Sequence, residues 1–414
     1  MYFVMLTIFC MQKSKSIQAI YLYLVLGNTF AASFIWGINT IFLLDAGLSN
    51  FQAFAMNGLF TAGQVIFEVL TGIVADLWGR RISYLLGAFT LSFSTMLYFF
   101  MWKIHGPLWG WAIASVLLGL GFTFFSGALE AWLVDALHAT NFEGSIDSVF
   151  AKGQSVGGAA MLTGSVLGGV IAQFTNLGVP YIIRSVVLLL NFGIAFFLMK
   201  DLGFTPKGTR EPFKQMRRIF SEALEHGLKK PAVRWLMLGA PFMVGVSFYV
   251  FYALQPFLLK LYGNPQAYSI AGLVAAIVAC SQIVGGFISP YVKKFFTKRT
   301  NAIFTAIFLG AVTLILVSIA HNFFIVIGLV FLWGLMFSAL TPIRLTYLNS
   351  IIPTEQRATI LSFDSMLGSS GGIVVQPILG KVADVWSYPV SYAIAAGFQF
   401  LALPFVFLAR RHEK

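Results

Sequence analysis

Two carboxylates interrupt stretches of this sequence that are otherwise apolar. Glu68 and Glu130 each lie within a run of residues long enough to cross a bilayer. A charged side chain at the centre of a membrane helix costs about 2.5–3.5 kcal/mol on insertion scales, so each Glu is a candidate functional group. Because burial favours the protonated form of a carboxyl group, either residue could carry a proton. The structural alternative is that each one pairs with a Lys or Arg near the membrane surface.

Arg344 is the candidate partner of Glu130. When the second half of the sequence is laid over the first, Arg344 coincides with Trp132, close to Glu130. We therefore predict a Glu130–Arg344 pair across a cavity. Such a pair would act either as the coupling element or as a gate on the inner side.

A charged turn follows the first of these carboxylate-containing stretches. It reads Gly72-Ile-Val-Ala-Asp76-Leu-Trp-Gly79-Arg80-Arg81. The two glycines permit a close helix approach and a tight turn. Asp76 can bond to the start of a neighbouring helix and pair with a basic group. The pattern indicates a compact, charged connection at a membrane surface.

The composition places these residues in a membrane protein. The sequence of 414 residues is 58% hydrophobic and 10% charged, with a mean hydropathy of +0.84, whereas soluble domains carry about 25% charged residues. In lipid every backbone polar group must be bonded internally, and long apolar runs without alternation indicate helices rather than a barrel. At about 20 residues per span, the chain has room for twelve. We therefore predict an all-α polytopic membrane protein with spans at 17–44, 51–75, 82–102, 108–137, 149–174, 179–199, 236–259, 267–292, 302–320, 323–348, 359–383 and 390–408.

The distribution of basic residues predicts the topology. The net charge of +12 comes from short clusters between apolar runs, which is typical of cytoplasmic loops and not of a nucleic-acid-binding surface. With the N-terminus inside, the 27 Lys and Arg residues all lie on the inner side except Lys103, Arg184, Lys260 and Lys381. We therefore predict that both termini are cytoplasmic and that the protein lies in the inner (plasma) membrane.

A long hydrophilic segment divides the chain near its middle. The predicted parts are an N-terminal cytoplasmic tail at 1–16, a six-helix bundle at 17–200, a basic cytoplasmic linker at 201–234, a second six-helix bundle at 235–409 and a C-terminal tail at 410–414. The apolar start leaves open whether Met1 or Met11 is the first residue.

The two halves are related in sequence. When they are overlaid, Gln52-Ala53 coincides with Gln266-Ala267, Gly72 with Gly286, and Arg80 with Lys294. A duplication with a long basic linker is typical of transporters built from two parallel repeats around a central site.

Four stretches resemble those of the major facilitator superfamily. They are Gly72 to Arg81, its degenerate copy Gly286 to Arg299 with Pro290 in place of the Asp, the glycine-rich Gly153 to Gly169, and Pro353 to Ser362. With the twelve-span layout, the resemblance covers nearly the whole chain and extends to bacterial drug-efflux members, although Ser115 stands where those commonly carry an Arg. It implies two pseudo-symmetric six-helix bundles that rock about a central site and expose it alternately to each side.

The resemblance also implies roles for particular residues. The charged turn would be part of a latch that holds the halves together in the outward-facing state, or else only a turn that fixes topology. The latch residues would be Gly72, Asp76, Gly79, Arg80, Arg81, Asp135 and Arg357, with Asp135 joining Arg80 and Arg357 meeting Asp76. Spans 1, 4, 7 and 10 would form the cavity wall. Its candidates are Asn28, Ser33, Trp36, Asn39, Thr123, Ser126, Tyr249, Tyr252, Gln255, Trp333 and Thr341.

A cavity with aromatic walls and few charges favours a bulky amphipathic or cationic-lipophilic solute over a phosphate or a small carboxylate. The sequence therefore predicts a secondary-active transporter that exports drug-like or amphipathic compounds by proton antiport. Its proton-coupling candidates are Glu68, Glu130 and Arg344. The alternatives are an importer of a nutrient or metabolite, and a transport-inactive receptor or lipid-translocating protein.

The sequence carries no motif of an enzyme, because it lacks a phosphate loop, a nucleophile elbow and a zinc-protease pattern. Cys10 and Cys280 lie far apart and indicate neither a disulfide nor a metal site. We therefore expect no cofactor and no metal. The expected partners are a small-molecule substrate, a proton and membrane lipid, with no nucleic acid, and the expected state is a monomer.

Overall fold

The computed structural model describes residues 2–206, 221, 229–353 and 357–413. Most of the linker predicted at 201–234 therefore lies outside the described residues. The regular elements of the described residues are all α-helices. They are Tyr2–Trp36 and Asn39–Asp45 (span 1), Asn50–Trp78 (span 2), Arg80–Lys103 (span 3), Leu108–Phe125 and Ala128–Ala139 (span 4), Ile146–Phe174 (span 5), Val179–Leu198 (span 6), Pro231–Tyr262 (span 7), Tyr268–Lys294 (span 8), Arg299–Ile319 (span 9), Phe323–Ile351 (span 10), Arg357–Val385 (span 11), and Tyr388–Phe400 and Ala402–Arg410 (span 12).

Eleven of these spans are long and apolar enough to cross a membrane, by the length and composition of their described residues. Span 11 falls outside that set because it is rich in Ser and Gly, although it is 29 residues long. It packs along spans 2 and 7 and so occupies the place of a twelfth membrane helix. The prediction of an all-α, polytopic, twelve-span fold is confirmed.

Three spans are interrupted, which the sequence did not predict. Span 1 stops at Trp36 and resumes at Asn39, span 4 is broken before Ala128, and span 12 is broken at Leu401. Gly127 has a φ of +68°, in the left-handed region that glycine enters without steric cost, so a glycine encodes the break in span 4. At its start, span 1 runs without interruption through the described part of the predicted tail 1–16.

The two halves meet along two pairs of spans. Span 2 packs against span 11, and span 5 packs against span 8. Small residues allow the second contact, because a Cβ added to Gly169 would lie 2.9 Å from the Gly272 Cα atom. Small residues at a helix interface let the backbones approach closely, which strengthens packing in a membrane.

The ends of the spans define two faces of the molecule. We call the face that carries Arg80, Lys294 and Arg410 the basic face, and the other, which carries Lys103 and Trp386, the opposite face. The basic face is the one predicted to be cytoplasmic. Hydrogen bonds join described residues of the two halves at the opposite face, and a cavity opens from the centre toward the basic face.

Candidate functional site

The opposite face is sealed where span 1 is broken. The buried side chain of Gln255 in span 7 accepts a hydrogen bond from the Thr40 N–H at 2.9 Å and donates one to the Trp36 carbonyl oxygen at 2.6 Å. The first N–H groups and last C=O groups of a helix lack intrahelical partners. Gln255 thus satisfies backbone groups on both sides of the break and ties the two halves together. It was predicted to lie in the cavity wall, and it belongs to the seal instead.

A carboxylate completes the seal. Asp384, near the end of span 11, accepts hydrogen bonds from the N–H groups of Asn50 at 2.9 Å and Phe51 at 2.8 Å, at the start of span 2. The Tyr388 hydroxyl donates a hydrogen bond to the Asn50 side-chain oxygen. Unpaired N–H groups and the helix dipole both favour a negative charge at a helix N-terminus. Asp384 was not predicted from the sequence, since an Asp at the end of a span carries no distinguishing pattern.

A central cavity of about 420 Å³ lies between the two halves. Four of the residues predicted for its wall line it, namely Trp36, Asn39, Tyr252 and Trp333. The wall is broader than the predicted spans 1, 4, 7 and 10, because spans 2, 3, 5, 6 and 8 also contribute. The lining is mainly apolar and aromatic, and it suits the ring or chain of an amphipathic molecule.

Several predicted wall residues pack inside one half. The Ser33 hydroxyl donates to the Ala160 carbonyl oxygen at 3.2 Å, which joins spans 1 and 5. The buried Tyr249 hydroxyl is hydrogen-bonded to Ser391 of span 12. These two predictions failed because the sequence places a residue on a span but does not give the rotation of that helix.

The remaining predicted wall residues lie outside the central cavity as well. Asn28 does not line it, and the Thr341 hydroxyl donates to the carbonyl oxygen of Phe337 in its own helix at 3.1 Å. Thr123 and Ser126 line a second cavity.

The second cavity, of about 590 Å³, lies between spans 2, 4 and 11. It shares Gln64 and Phe122 with the central cavity, so the two spaces are continuous toward the basic face. Its lining includes Glu68 and Glu130, and the Ser126 hydroxyl donates to the Glu68 carboxylate at 2.7 Å. Both carboxylates are exposed in the cavity, so the expected burial is not found. The structure therefore brings both predicted proton carriers to one polar space.

The predicted Glu130–Arg344 pair is not formed. Arg344 instead makes a two-pronged ion pair with Asp364 of span 11, and the Arg344 guanidinium also donates to the Leu236 carbonyl oxygen at 3.1 Å. Arg344 and both of its partners belong to the second half. The Asp364 carboxylate lies on the neighbouring span, close enough for a direct ion pair with Arg344, whereas Glu130 lies across an open cavity. A buried ion pair offsets the cost of removing its charges from water only when the two groups are in close contact. Asp364, 7% exposed, was not nominated from the sequence.

The proposed latch residues lie at the basic face. Arg80 Nη1 lies 2.7 Å from Asp76 Oδ1, and Arg80 Nε lies 4.0 Å from Asp135 Oδ2. The structure thus brings Arg80, Asp76 and Asp135 together within the first half. Arg357 makes no ion pair with Asp76 among the residues that the structure describes. The predicted contact between the halves is therefore absent in this conformation.

Gly79 shapes the turn between spans 2 and 3. Its φ of +104° and ψ of +155° fall in a region that is essentially reserved for glycine. A Cβ there would lie 2.4 Å from the Asp201 carboxylate, which accepts a hydrogen bond from the Arg81 N–H at 2.9 Å. Partial burial raises the pKa of Asp201, and the Arg81 N–H opposes that rise. The Arg81 guanidinium donates to the Phe196 carbonyl oxygen at 2.5 Å.

Arg184 lies in the central cavity and not at the outer surface where the sequence placed it. The sequence placed it on the outer side, among the few basic residues there. In the structure Arg184 lies in span 6, is 2% exposed and lines the central cavity. Its guanidinium lies 5.9 Å from the centre of the Phe122 ring. The only sequence signal was its place after the start of the apolar run.

Among the described residues, no group of His, Cys, Asp and Glu side chains could hold a metal ion. The functional groups that line the two cavities include carboxylates, one guanidinium, amides, hydroxyls and aromatic rings.

Comparison with known proteins identifies the fold. The family model described as the Major Facilitator Superfamily matches residues 22–374 and, again, 271–414. The chain belongs to the Major Facilitator Superfamily. This superfamily member is thus a multi-pass membrane protein with the architecture of a secondary transporter for small molecules.

Two relatives of this superfamily member are described as uncharacterized MFS-type transporters. It is 19% identical over 373 residues to the MFS-type transporter MJ1560 of Methanocaldococcus jannaschii, covering 89% of this chain and 91% of that one. It is 22% identical over 376 residues to the MFS-type transporter YxaM of Bacillus subtilis, covering 88% of each. Both relatives are described as MFS-type transporters.

Solved structures share the fold at low sequence identity. The nucleoside transporter NupG superposes with a TM-score of 0.76 at 13% identity, covering 95% of this chain and 98% of that one. A peptide transporter, POT, superposes with a TM-score of 0.74 at 11% identity, covering 98% of this chain and 99% of that one. A bacterial homologue of the human lysosomal transporter Spinster, in an inward-facing and unoccupied conformation, gives 0.72 at 16% identity, covering 97% of both chains.

Proposed function

We propose that this chain moves an amphipathic small molecule across the membrane by alternating access, with protons carried by Glu68 or Glu130. One observation carries the proposal. The central cavity is closed toward the opposite face by hydrogen bonds between the halves and is continuous with a polar cavity toward the basic face. A site between two bundles that opens to one side is the arrangement that rocking can reverse.

The two conformations would be stabilised by different contacts between the halves. In this conformation the Gln255 and Asp384 contacts hold the opposite face shut, while Arg357 stands without an ion pair to Asp76. In the alternative conformation the Gln255 and Asp384 contacts would break, and the latch residues at the basic face would meet across the halves. Two discrete sets of contacts give two discrete states, which is the requirement for alternating access.

Proton coupling is proposed for the polar cavity. Glu68 and Glu130 line the polar cavity, which shares Gln64 and Phe122 with the central cavity. A carboxylate that faces water in one conformation and is enclosed in the other binds a proton more readily when it is enclosed. Substrate movement and proton movement would then share one conformational change.

Access to the central cavity from both sides tests alternating access without knowledge of the substrate. In a Cys10→Ser, Cys280→Ser background, Ser247→Cys places one thiol in the cavity wall. We expect a membrane-impermeant thiol reagent to label it from the basic face in inverted vesicles and, more slowly, from the opposite face in right-side-out vesicles. Labelling from the basic face alone would favour the transport-inactive receptor and contradict the proposal.

Transport in proteoliposomes tests the proton carriers. For a compound that stabilises the purified protein, we expect an imposed pH gradient to drive its movement, and we expect Glu130→Gln or Glu68→Gln to remove that dependence. If both single variants and the double variant retain full pH-dependent transport, the proposed carriers are wrong. Export, the direction predicted from the sequence, stays a prediction, and the sign of the driving gradient decides it.

A further inference from the structure

The central cavity contains a buried positive charge with no counter-ion in the described part of the chain. Arg184 is 2% exposed and makes no ion pair or hydrogen bond with a described residue. Its electrostatic neighbours are the hydroxyl groups of Tyr181, Tyr252 and Tyr98, which carry no charge at neutral pH. An arginine keeps its proton in proteins, so this charge has to be balanced from outside the described residues.

Three acidic side chains of the spans are engaged elsewhere, and Glu130 lines the polar cavity instead of the central one. Asp364 pairs with Arg344, and Asp45 accepts a hydrogen bond from the Trp102 indole at 2.8 Å. Glu68 accepts from Ser126 in the polar cavity. Breaking or omitting one partner of a buried pair is strongly unfavourable, because it leaves an uncompensated charge in a medium of low dielectric constant. Because an unpaired buried Arg184 destabilises the folded protein, its presence indicates a ligand that supplies the missing negative charge.

A second donor in the same cavity lacks an acceptor. The Tyr181 hydroxyl donates to Asn39 Oδ1 at 3.1 Å, and Asn39 Nδ2 donates to Asn57 Oδ1 at 2.9 Å. This chain of bonds orients Asn57 and leaves its Nδ2 atom buried without a partner. Asn57, like Arg184, lines the central cavity. Two unpaired donors at one cavity call for a ligand with more than one acceptor atom.

The rest of the cavity lining indicates the chemistry of the part of the ligand that does not contact Arg184. Trp36, Phe251, Trp333 and Phe122 present aromatic surfaces to the same space of about 420 Å³. One uncompensated positive charge matches a single negative charge, and a guanidinium fork fits the two oxygen atoms of a carboxylate. The cavity therefore combines one anion-binding end with apolar, aromatic walls.

We propose that the central cavity binds a monoanionic, amphipathic organic acid, with its carboxylate held by Arg184 and Asn57 and its apolar body between the aromatic side chains. The inference deepens the proposed transport function and rests on it for the cargo role, whereas the binding chemistry stands on the cavity alone. It replaces the cationic-lipophilic solute expected from the sequence, because Arg184 repels a cation.

Binding of three compounds of one shape tests the inference. The purified protein in detergent is titrated by calorimetry with 2-naphthoate, its neutral amide 2-naphthamide, and the cationic 2-naphthylmethylamine. We expect 2-naphthoate to bind at least about tenfold more tightly than the amide, which corresponds to about 1.4 kcal/mol, and we expect no binding of the amine. Equal or tighter binding of the amide or the amine overturns the proposal, and so does a failure of 2-naphthoate to bind.

Variants of Arg184 separate a ligand role from a structural one. Arg184→Gln should abolish the preference for the acid over the amide, and Arg184→Lys should keep part of it, because Lys retains the charge but loses the fork. Arg411→Gln, at an exposed Arg whose guanidinium lies 5.0 Å from the centre of the Phe407 ring, is the matched control and should leave binding unchanged. Retention of the acid preference by Arg184→Gln contradicts the proposal.

The thermal stability of the ligand-free protein gives a second readout. Removing an unpaired buried charge should raise the Tm of Arg184→Gln above that of the unaltered protein. A structural Arg would instead lower the Tm when replaced, and that result overturns the proposal. Selective 2-naphthoate binding by a protein whose Ser247→Cys thiol is labelled from one face only would refute the transport function and leave the anion site standing.

Discussion

Arg344 of span 10 forms a two-pronged ion pair with Asp364 of span 11, with Nη2 2.6 Å from Oδ1 and Nη1 2.7 Å from Oδ2. The pair ties two spans within the second half and removes Arg344 from any part in a charge pair with Glu130 in this conformation. Loss of one member would leave the other charge buried and unpaired. We expect Asp364→Asn to lower the free energy of unfolding by about 3–5 kcal/mol, as measured by unfolding in mixed detergent micelles.

The double variant Arg344→Met, Asp364→Leu is the control for that prediction. Because a well-packed apolar pair can replace a buried ion pair at little cost, it should recover most of the lost stability. A single variant as stable as the unaltered protein would show that the pair contributes little.

The Asp384 contact should favour the conformation in which the opposite face is closed. Asp384→Ala removes two charge-assisted hydrogen bonds between span 11 and the start of span 2. Such bonds contribute about 1.5–3 kcal/mol each, so we expect the opposite face to open more often. Labelling of Ser247→Cys from that face should rise by about tenfold or more. Lys381→Ala, one turn earlier on the same helix, should have no effect, and an unchanged labelling rate in Asp384→Ala would contradict the seal.

A change in the latch should make the opposite face open less often, which is the reverse of the effect expected for Asp384→Ala. Asp76→Asn weakens the ion pair with Arg80 and any contact that forms when the basic face closes. Because both side chains are partly exposed, folding should change by less than about 1 kcal/mol. We expect slower labelling of Ser247→Cys from the opposite face and lower transport by a folded protein. A variant with normal transport would rule out the latch and leave the reading of a turn that fixes topology.

Two glycines of the charged turn should respond differently to the same change. Gly79→Ala forces an Ala into a glycine-only conformation, which costs about 1–3 kcal/mol, and places a methyl group against Asp201. Gly72→Ala adds a methyl group where nothing lies within 4 Å, and in a helix it should stabilise the protein by about 0.5–1 kcal/mol. Unfolding of the two variants under identical conditions measures both. A Gly79→Ala protein as stable as Gly72→Ala would refute the account of the turn.

The sequence by itself determined the membrane class, the twelve spans and the place of the charged turn. These features are local, because a continuous apolar run requires a helix in lipid, and because residues close in sequence, such as Asp76 and Arg80, stay close in space. The duplication of the halves was inferred from matches that repeat along the chain, such as Gly72 with Gly286, whereas the set of spans around the cavity was implied only by the family resemblance.

Only the tertiary structure decided which residues face the cavity and which charges meet. Arg184 was counted as an outer residue because a sequence gives the depth of a side chain in a span poorly and its rotation not at all. Asp364 and Gln255 bind partners on other spans, and these contacts cannot be predicted from spacing along the chain. The charge balance of the central cavity depends on these distant partners, and so the anion site became visible only when the helices were assembled.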